Sequence, residues 1–183
     1  MAQTSIGDTS PHREDDRRYP RDRLEFGVAI LCALPIEATA VSAQFENIWD
    51  AAAFSKTQND SNTYSFGSIG PYNVVLVHMP GMGKVAAATA AANLRASFHG
   101  LSLVLLVGIC GGAPLAGKKK ISGGLFLGDV VVSTGVIQYD LGRRFPGNRF
   151  VRKDMPYDNL SKLTAEVNTM LAKLQTEQGS ARL

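Results

Sequence analysis

Long apolar runs are missing from this chain of 183 residues. No stretch approaches the roughly 18 consecutive apolar residues that a membrane helix requires, which argues against a membrane-spanning helix. Cysteine is scarce. Cys32 and Cys110 sit inside apolar runs, not at paired metal-site or disulfide spacings, and read as small buried residues of a reduced, intracellular protein. Charge of one sign is scarce too: 19 Lys and Arg against 16 Asp and Glu leave a net +3. That balance does not by itself indicate a nucleic-acid surface, and no nucleic-acid partner is expected. The one dense basic run, Lys118-Lys119-Lys120, reads as a solvated loop, with a phosphate or nucleic-acid contact as the alternative. Residues 1–24 lack the apolar core of a secretory signal, and Asp8, Glu14, Asp15 and Asp16 argue against a mitochondrial presequence. They are read as a disordered leader of a cytoplasmic protein. No internal repeat is found. Nor does any G-x-G-x-x-G open a helix with an acid about 20 residues later, which tells against a dinucleotide site.

What is present is an alternation of strands and helices. At 45% hydrophobic, the chain is long enough for one globular core over residues 25–183. Phe26 to Ala33 predicts a strand buried on both faces, followed by a helix that starts at Pro35 and runs through Ile36, Val41 and Phe45. Tyr64 to Ile69 and Tyr72 to Met79, joined by Gly70-Pro71, predict a hairpin. Val85 to Phe98 predicts an alanine-rich helix whose apolar character on nearly all sides implies burial against a sheet or a partner. Leu101 to Val107 predicts the next buried strand and Leu125 to Ile137 another strand, with a loop over Ala113 to Gly124. Asp140 to Asp158 has no clear period and reads as an exposed loop of the ligand-flap kind. Leu160 to Gln178 carries Leu163, Val167, Leu171 and Leu174 at helical steps, ended by Gly179. The sum is an α/β fold with three α/β/α layers and a mixed, mostly parallel central sheet.

Two turns stand out for chemistry. One is Gly81-Met82-Gly83 before Lys84; the other is Gly108-Ile109-Cys110-Gly111-Gly112. Strands that end in glycine turns leave bare backbone N–H groups at the carboxyl edge of a sheet, where α/β folds bind anionic or sugar ligands. Both turns also allow a plainer reading, as strand-to-helix connections that only pack. His78 and His99 are isolated and read as structural or solvated. Asp129 reads as the cap of a turn. Arg143, Arg144, Arg149 and Arg152 read as solvated, with a phosphorylated ligand as the alternative partner, Arg143 and Arg144 first.

Gly81-Met82-Gly83-Lys84-Val85-Ala86-Ala87, Val107-Gly108-Ile109-Cys110-Gly111-Gly112 and Leu127-Gly128-Asp129-Val130-Val131-Val132-Ser133, in that order, resemble the nucleoside phosphorylase and nucleosidase superfamily over about Phe26 to Gln178. Ala33-Leu34-Pro35-Ile36-Glu37, Gly111-Gly112-Ala113-Pro114 and Gln138-Tyr139-Asp140 resemble the version at the N-terminus of fungal multidomain receptor-like proteins. The resemblance implies cleavage of the N-glycosidic bond of a purine nucleoside or nucleotide through an oxocarbenium-like transition state, with no metal or cofactor and a small-molecule substrate.

The resemblance also assigns roles. Glu37 matches the glutamate with which nucleosidases activate water, although a first-turn glutamate is also what a helix dipole favours. Gly81, Met82, Gly83 and Gly108 to Gly112 become the substrate-binding turns. Phosphorylases of the superfamily hold phosphate with an arginine two residues before Gly108 and a hydroxyl residue after it. Leu106 and Ile109 stand there and donate nothing to a dianion, so hydrolysis is expected over phosphorolysis. The family's Met-Glu pair and base-protonating Asp have no counterpart after Asp158, so the fold is expected to be truncated at the C-terminus. Two functions stay open: an N-glycosidic hydrolase, or a catalytically silent nucleoside-binding or regulatory module. Relatives are commonly oligomeric, so a homo-oligomer or a partner domain is expected.

Overall fold

The apolar run after Phe26 forms strand β1, Val28–Cys32, in the computed structural model. The structure describes residues 19–112, 126–133, 135–136, 138–153 and 163–176. Helix α1, Pro35–Ser42, follows with proline in its first turn, where a missing N–H costs nothing. Strand β2, Asn47–Trp49, then precedes the expected hairpin of β3, Thr63–Ile69, and β4, Tyr72–His78. The turn places Gly70 at φ +54°, a conformation that favours glycine. Helix α2, Lys84–Ser97, leads to β5, Leu103–Leu106, which is expected to be buried but leaves Val104, Leu105 and Leu106 exposed, because it stands at the edge of the sheet.

These strands form one mixed sheet in the order β2-β3-β4-β1-β5. β1 pairs in parallel with β4 and β5, whereas β3 pairs antiparallel with β2 and β4. Alternation along the strands sorts the core into two layers. Ile30, Cys32, Val74 and Leu76 pack with Ala38 and Val41 of α1. Ala29, Leu31, Val75 and Val77 pack with Ala90 and Leu94 of α2 and with Phe26, Phe54, Phe66 and Phe98. Among those rings, Phe26 meets Phe54 edge-on at 5.0 Å and Phe98 at 5.8 Å. The helices thus cover opposite faces, giving the expected α/β/α arrangement.

Three further expectations change in this unit. The alanine-rich helix is buried only at Ala90, Leu94 and Ser97, because a helix lying on a sheet gives it one stripe. Cys110 is exposed, unlike Cys32, because it lies beyond the end of β5, where no described residue covers it. Tyr19, assigned to the leader, stacks on Phe54 at 5.9 Å and meets Trp49 edge-on at 5.2 Å. Residues 1–18 of the leader lie outside the described residues, as do the loop over 113–124 and its lysine run.

Below the sheet a buried polar network fixes the approach to β3. Asp60 Oδ2 accepts hydrogen bonds from Tyr64 Oη at 2.6 Å and Ser97 Oγ at 2.5 Å, and Oδ1 accepts from Asn62 N at 2.8 Å. Asn62 Nδ2 donates to the Ala90 carbonyl at 2.8 Å, tying the loop to α2. Burial disfavours the Asp60 charge, but the Ser97, Tyr64 and Asn62 donors outweigh it and hold the carboxyl below its ordinary range.

The structure divides into two compact units, Met1–Gly111 and Gly112–Leu183. In the second, the strand expected over Leu125 to Ile137 does not form among the described residues. Val130, Val131, Val132 and Val136 are exposed, and β propensity is realised only when a neighbouring backbone completes the ladder. Asp129 instead closes a turn: its Oδ2 accepts from Phe126 N at 2.9 Å. The irregular loop expected from Asp140 to Asp158 contains an antiparallel hairpin of β6, Gly142–Phe145, and β7, Arg149–Arg152. Pro146 enters its turn, and Gly147 at φ 79° with Asn148 at φ 59° supplies two left-handed residues suited to a tight reversal. Helix α3, Ala165–Leu174, is capped by Thr164 Oγ1 on Val167 N; Leu160 and Gly179 lie outside the described residues.

Asp60→Ala leaves the Tyr64 and Ser97 hydroxyls and the Asn62 amide without their acceptor. Chemical denaturation should show a loss of roughly 2–4 kcal/mol. Because the folded carboxyl titrates below its unfolded value, this loss should be full near neutral pH and shrink as pH falls below 3.8.

Candidate functional site

The carboxyl ends of β4, β1 and β5 open on one edge of the sheet, with β1 in the middle. The ladders continue one step beyond the strands: Met79 N donates to the Cys32 carbonyl, and Val107 N to the Leu31 carbonyl, both at 3.0 Å. The turns after β4 and β5 therefore flank the start of α1 from either side.

Glu37 sits at the third position of α1 and is buried, at 8% exposure. Its Oε2 accepts from the backbone N–H of Ala33 at 3.1 Å and Leu34 at 2.9 Å. Its Oε1 accepts from Ile109 N at 2.9 Å, across 72 residues of sequence. The Ile109 and Leu34 amides together, with Ala33 adding to them, outweigh burial and hold the carboxyl below its ordinary value of 4.5. A carboxylate oxygen has about two acceptor positions. Oε2 is filled by Ala33 and Leu34, while Oε1 keeps one position beyond Ile109 among the described residues.

Gly108 makes this reach possible. A Cβ there would lie 2.9 Å from Glu37 Oε1, inside contact distance, so only glycine lets the carboxylate close on the next amide. Gly83 has a separate reason to be glycine: it caps α2 at φ 117°, with no side chain capping the helix. A Cβ on Gly81 or Gly111 would meet open space.

The structure thus brings Glu37, Gly108 and Ile109 into direct contact. Gly81, Met82 and Gly83 stand at the end of β4, on the other side of β1, with Met82 and Ile109 side chains largely exposed. Cys110 is exposed and Gly111 follows it, whereas Gly112, Arg143 and Arg144 belong to the second unit. Sequence reading missed two neighbours. Cys32 pairs in register with His78, and its thiol is pushed up by burial and then by the Glu37 charge. His78 Nε2 lies 2.8 Å from Ser65 Oγ. The strand periodicity carried the Cys32 signal, since the residue that ends a buried strand stands beside the turn that follows. Among the described residues no group of His, Cys, Asp and Glu is placed to hold a metal ion, and no helix is long and apolar enough to cross a membrane.

Residues 27–177 match the phosphorylase superfamily. A nucleotide-binding leucine-rich repeat (NLR)-like protein of Hyaloscypha variabilis is 36% identical over 129 residues, 67% of this chain but 12% of that protein, so the match spans a small part of the relative. Among solved structures, the 5'-methylthioadenosine/S-adenosyl homocysteine nucleosidase of Helicobacter pylori, complexed with a pyrrolopyrimidine-bearing pyrrolidinol, aligns with a TM-score of 0.57. Identity there is 17%, over 84% of this chain and 60% of that one, a likeness of fold.

Glu37→Gln tests the clamp. An amide nitrogen has no lone pair to offer, so the substituted side chain must leave at least one of the Ile109, Leu34 and Ala33 donors unmatched, which destabilises the fold. The carboxylate stabilises the fold fully above its unfolded value and loses this effect as pH falls through the lower folded one. The stability difference between wild type and variant should therefore narrow as pH drops below 4.5. A gap in denaturation midpoint that stays constant down through that range would contradict the assignment.

Proposed function

Because the chain belongs to the phosphorylase superfamily, we propose that it carries the part of an N-glycosidic hydrolase that handles water and ribose, acting on a purine nucleoside or nucleotide. The observation that carries this reading is the Glu37 carboxylate at the carboxyl edge, held ionised by three amides and keeping one acceptor position on Oε1. Water donating to that position is oriented toward the anomeric carbon, and the fixed negative charge offsets the positive charge that grows on the ribose. The clamp keeps this geometry without reorganisation at the moment of reaction. Gly81, Met82, Gly83 and the Gly108 to Gly112 turn supply backbone N–H groups and apolar contacts to sugar and base. The pyrrolopyrimidine on the Helicobacter pylori neighbour's ligand supports a purine as the base. Leu106 and Ile109 offer phosphate no donor, which supports water over phosphate as nucleophile.

One observation favours a second reading. Three amide donors that stabilise a carboxylate also make it a weaker base, and the fungal relative matches over only 12% of its length. Both fit a nucleoside-binding module within a larger protein, without turnover of its own.

Release of free base from purine nucleosides and their 5'-monophosphates, followed by chromatography with and without phosphate, separates the readings. Hydrolysis predicts free sugar as co-product, ¹⁸O from labelled water at its anomeric carbon, and a rate indifferent to phosphate. Glu37→Gln should then lower kcat by about 10²–10⁴-fold. Binding of the nucleoside by calorimetry with no base released would establish the silent module.

A further inference from the structure

The modest net charge of the chain conceals a local concentration of cations. Between Leu141 and Lys153 stand four arginines and one lysine, with no acid among them. The β6–β7 hairpin distributes these cations in a regular way. Its register sets Phe145 opposite Arg149 and Arg143 opposite Val151; side chains of opposed residues share a face, so Arg143, Phe145, Arg149 and Val151 line one side. The register also sets Arg144 opposite Phe150 and Gly142 opposite Arg152, which gathers Arg144, Phe150 and Arg152 on the other side. Each face therefore carries one arginine-phenylalanine cross-strand pair and a second arginine diagonal to the first, roughly 7–8 Å away. All of these side chains are exposed, including both rings. The ring of Phe150 occupies the space that a Cβ on Gly142 would need, so its position is fixed by the strand opposite.

We propose that this hairpin binds single-stranded nucleic acid. Arginine forks grip phosphates, while an aromatic ring offers a base a stacking surface that tolerates any sequence. Repetition of both features on the two faces of one ribbon suits a flexible chain that carries a phosphate and a base at every step. A bilayer surface instead requires one apolar face to insert beneath the headgroups, and neither face of this ribbon is apolar. An acidic polypeptide would use the arginines and leave the exposed rings without a partner. The inference concerns the second unit alone and stands apart from the reaction proposed for Glu37.

The test uses the whole chain and fluorescently labelled poly-U and poly-dT oligonucleotides, with anisotropy read over a salt series. Binding should weaken linearly in log–log form as salt rises. Arg143→Gln with Arg149→Gln should weaken binding and reduce the slope by about 1.4, at roughly 0.7 per lost phosphate contact. Arg144→Gln with Arg152→Gln, on the opposite face, should do the same, and decides the matter if the first pair fails to give the wild-type melting curve. Phe145→Ala should weaken binding about 5- to 100-fold while leaving the slope unchanged. The proposal is overturned by any of three results: no binding at low salt, equal binding of poly-glutamate or phosphatidylserine vesicles, or arginine variants that bind as wild type.

Discussion

Strand β1 gives up every surface it has. Both hydrogen-bonding edges go to neighbours in parallel register, one face goes to α1 and the other to the layer built on α2 and the phenylalanine cluster. A strand so enclosed must be apolar on both sides, as Val28–Cys32 is, and its parallel neighbours must be reached by crossovers that carry the helices. The layering, the direction of the three parallel strands and the gathering of their carboxyl ends all follow from this enclosure. The antiparallel β2 and β3 extend the sheet on the side where a short hairpin suffices.

At the carboxyl end of β1 the enclosure creates a difficulty that Glu37 resolves. The chain leaves the sheet and turns into α1, and the N–H groups of Ala33 and Leu34 lose their ladder partners there. A carboxylate one turn into the helix answers both, and its second oxygen crosses to Ile109 beyond β5. One side chain therefore completes a helix start and ties together two segments far apart in sequence. The same bonds make it an acceptor and not a proton donor near neutral pH. Structural and chemical readings of Glu37 are two descriptions of one arrangement, and they diverge at the acceptor position that the described residues leave on Oε1.

Apart from the three-residue β2, too short to show a period, the order of strands and helices through β5 is legible because each signal is local: continuous apolar runs, Pro35 at a helix start, Gly70 at a hairpin turn. Glu37 and the Gly108 turn were legible as neighbours of the strand ends, but not as partners, because a bond spanning 72 residues leaves no mark on either segment. The Asp60 network was overlooked although Asp60, Asn62 and Tyr64 recur at the two-residue step that puts side chains on one side of an extended chain. The β6–β7 hairpin reads as a loop because arginine at half of its strand positions hides the apolar alternation by which strands are recognised, even with Pro146-Gly147-Asn148 marking the turn. The run from Val130 to Val132 shows the converse: among the described residues it forms no ladder, and strand-like composition alone does not make a strand.

The register of β1 also governs the order in which the protein can assemble. Val28 pairs with Val74 and with Leu103, and the second partner lies 103 − 28 = 75 residues downstream. At about 5–20 residues per second, a ribosome takes roughly 4–15 s to add that interval. During this wait a wholly apolar strand exists without both of its edges covered. The β3–β4 hairpin, whose strands are joined by Gly70 and Pro71, is able to close by itself in microseconds once made. The β3–β4 hairpin therefore precedes β5 out of the ribosome, and the first edge open to β1 is the one that β4 supplies.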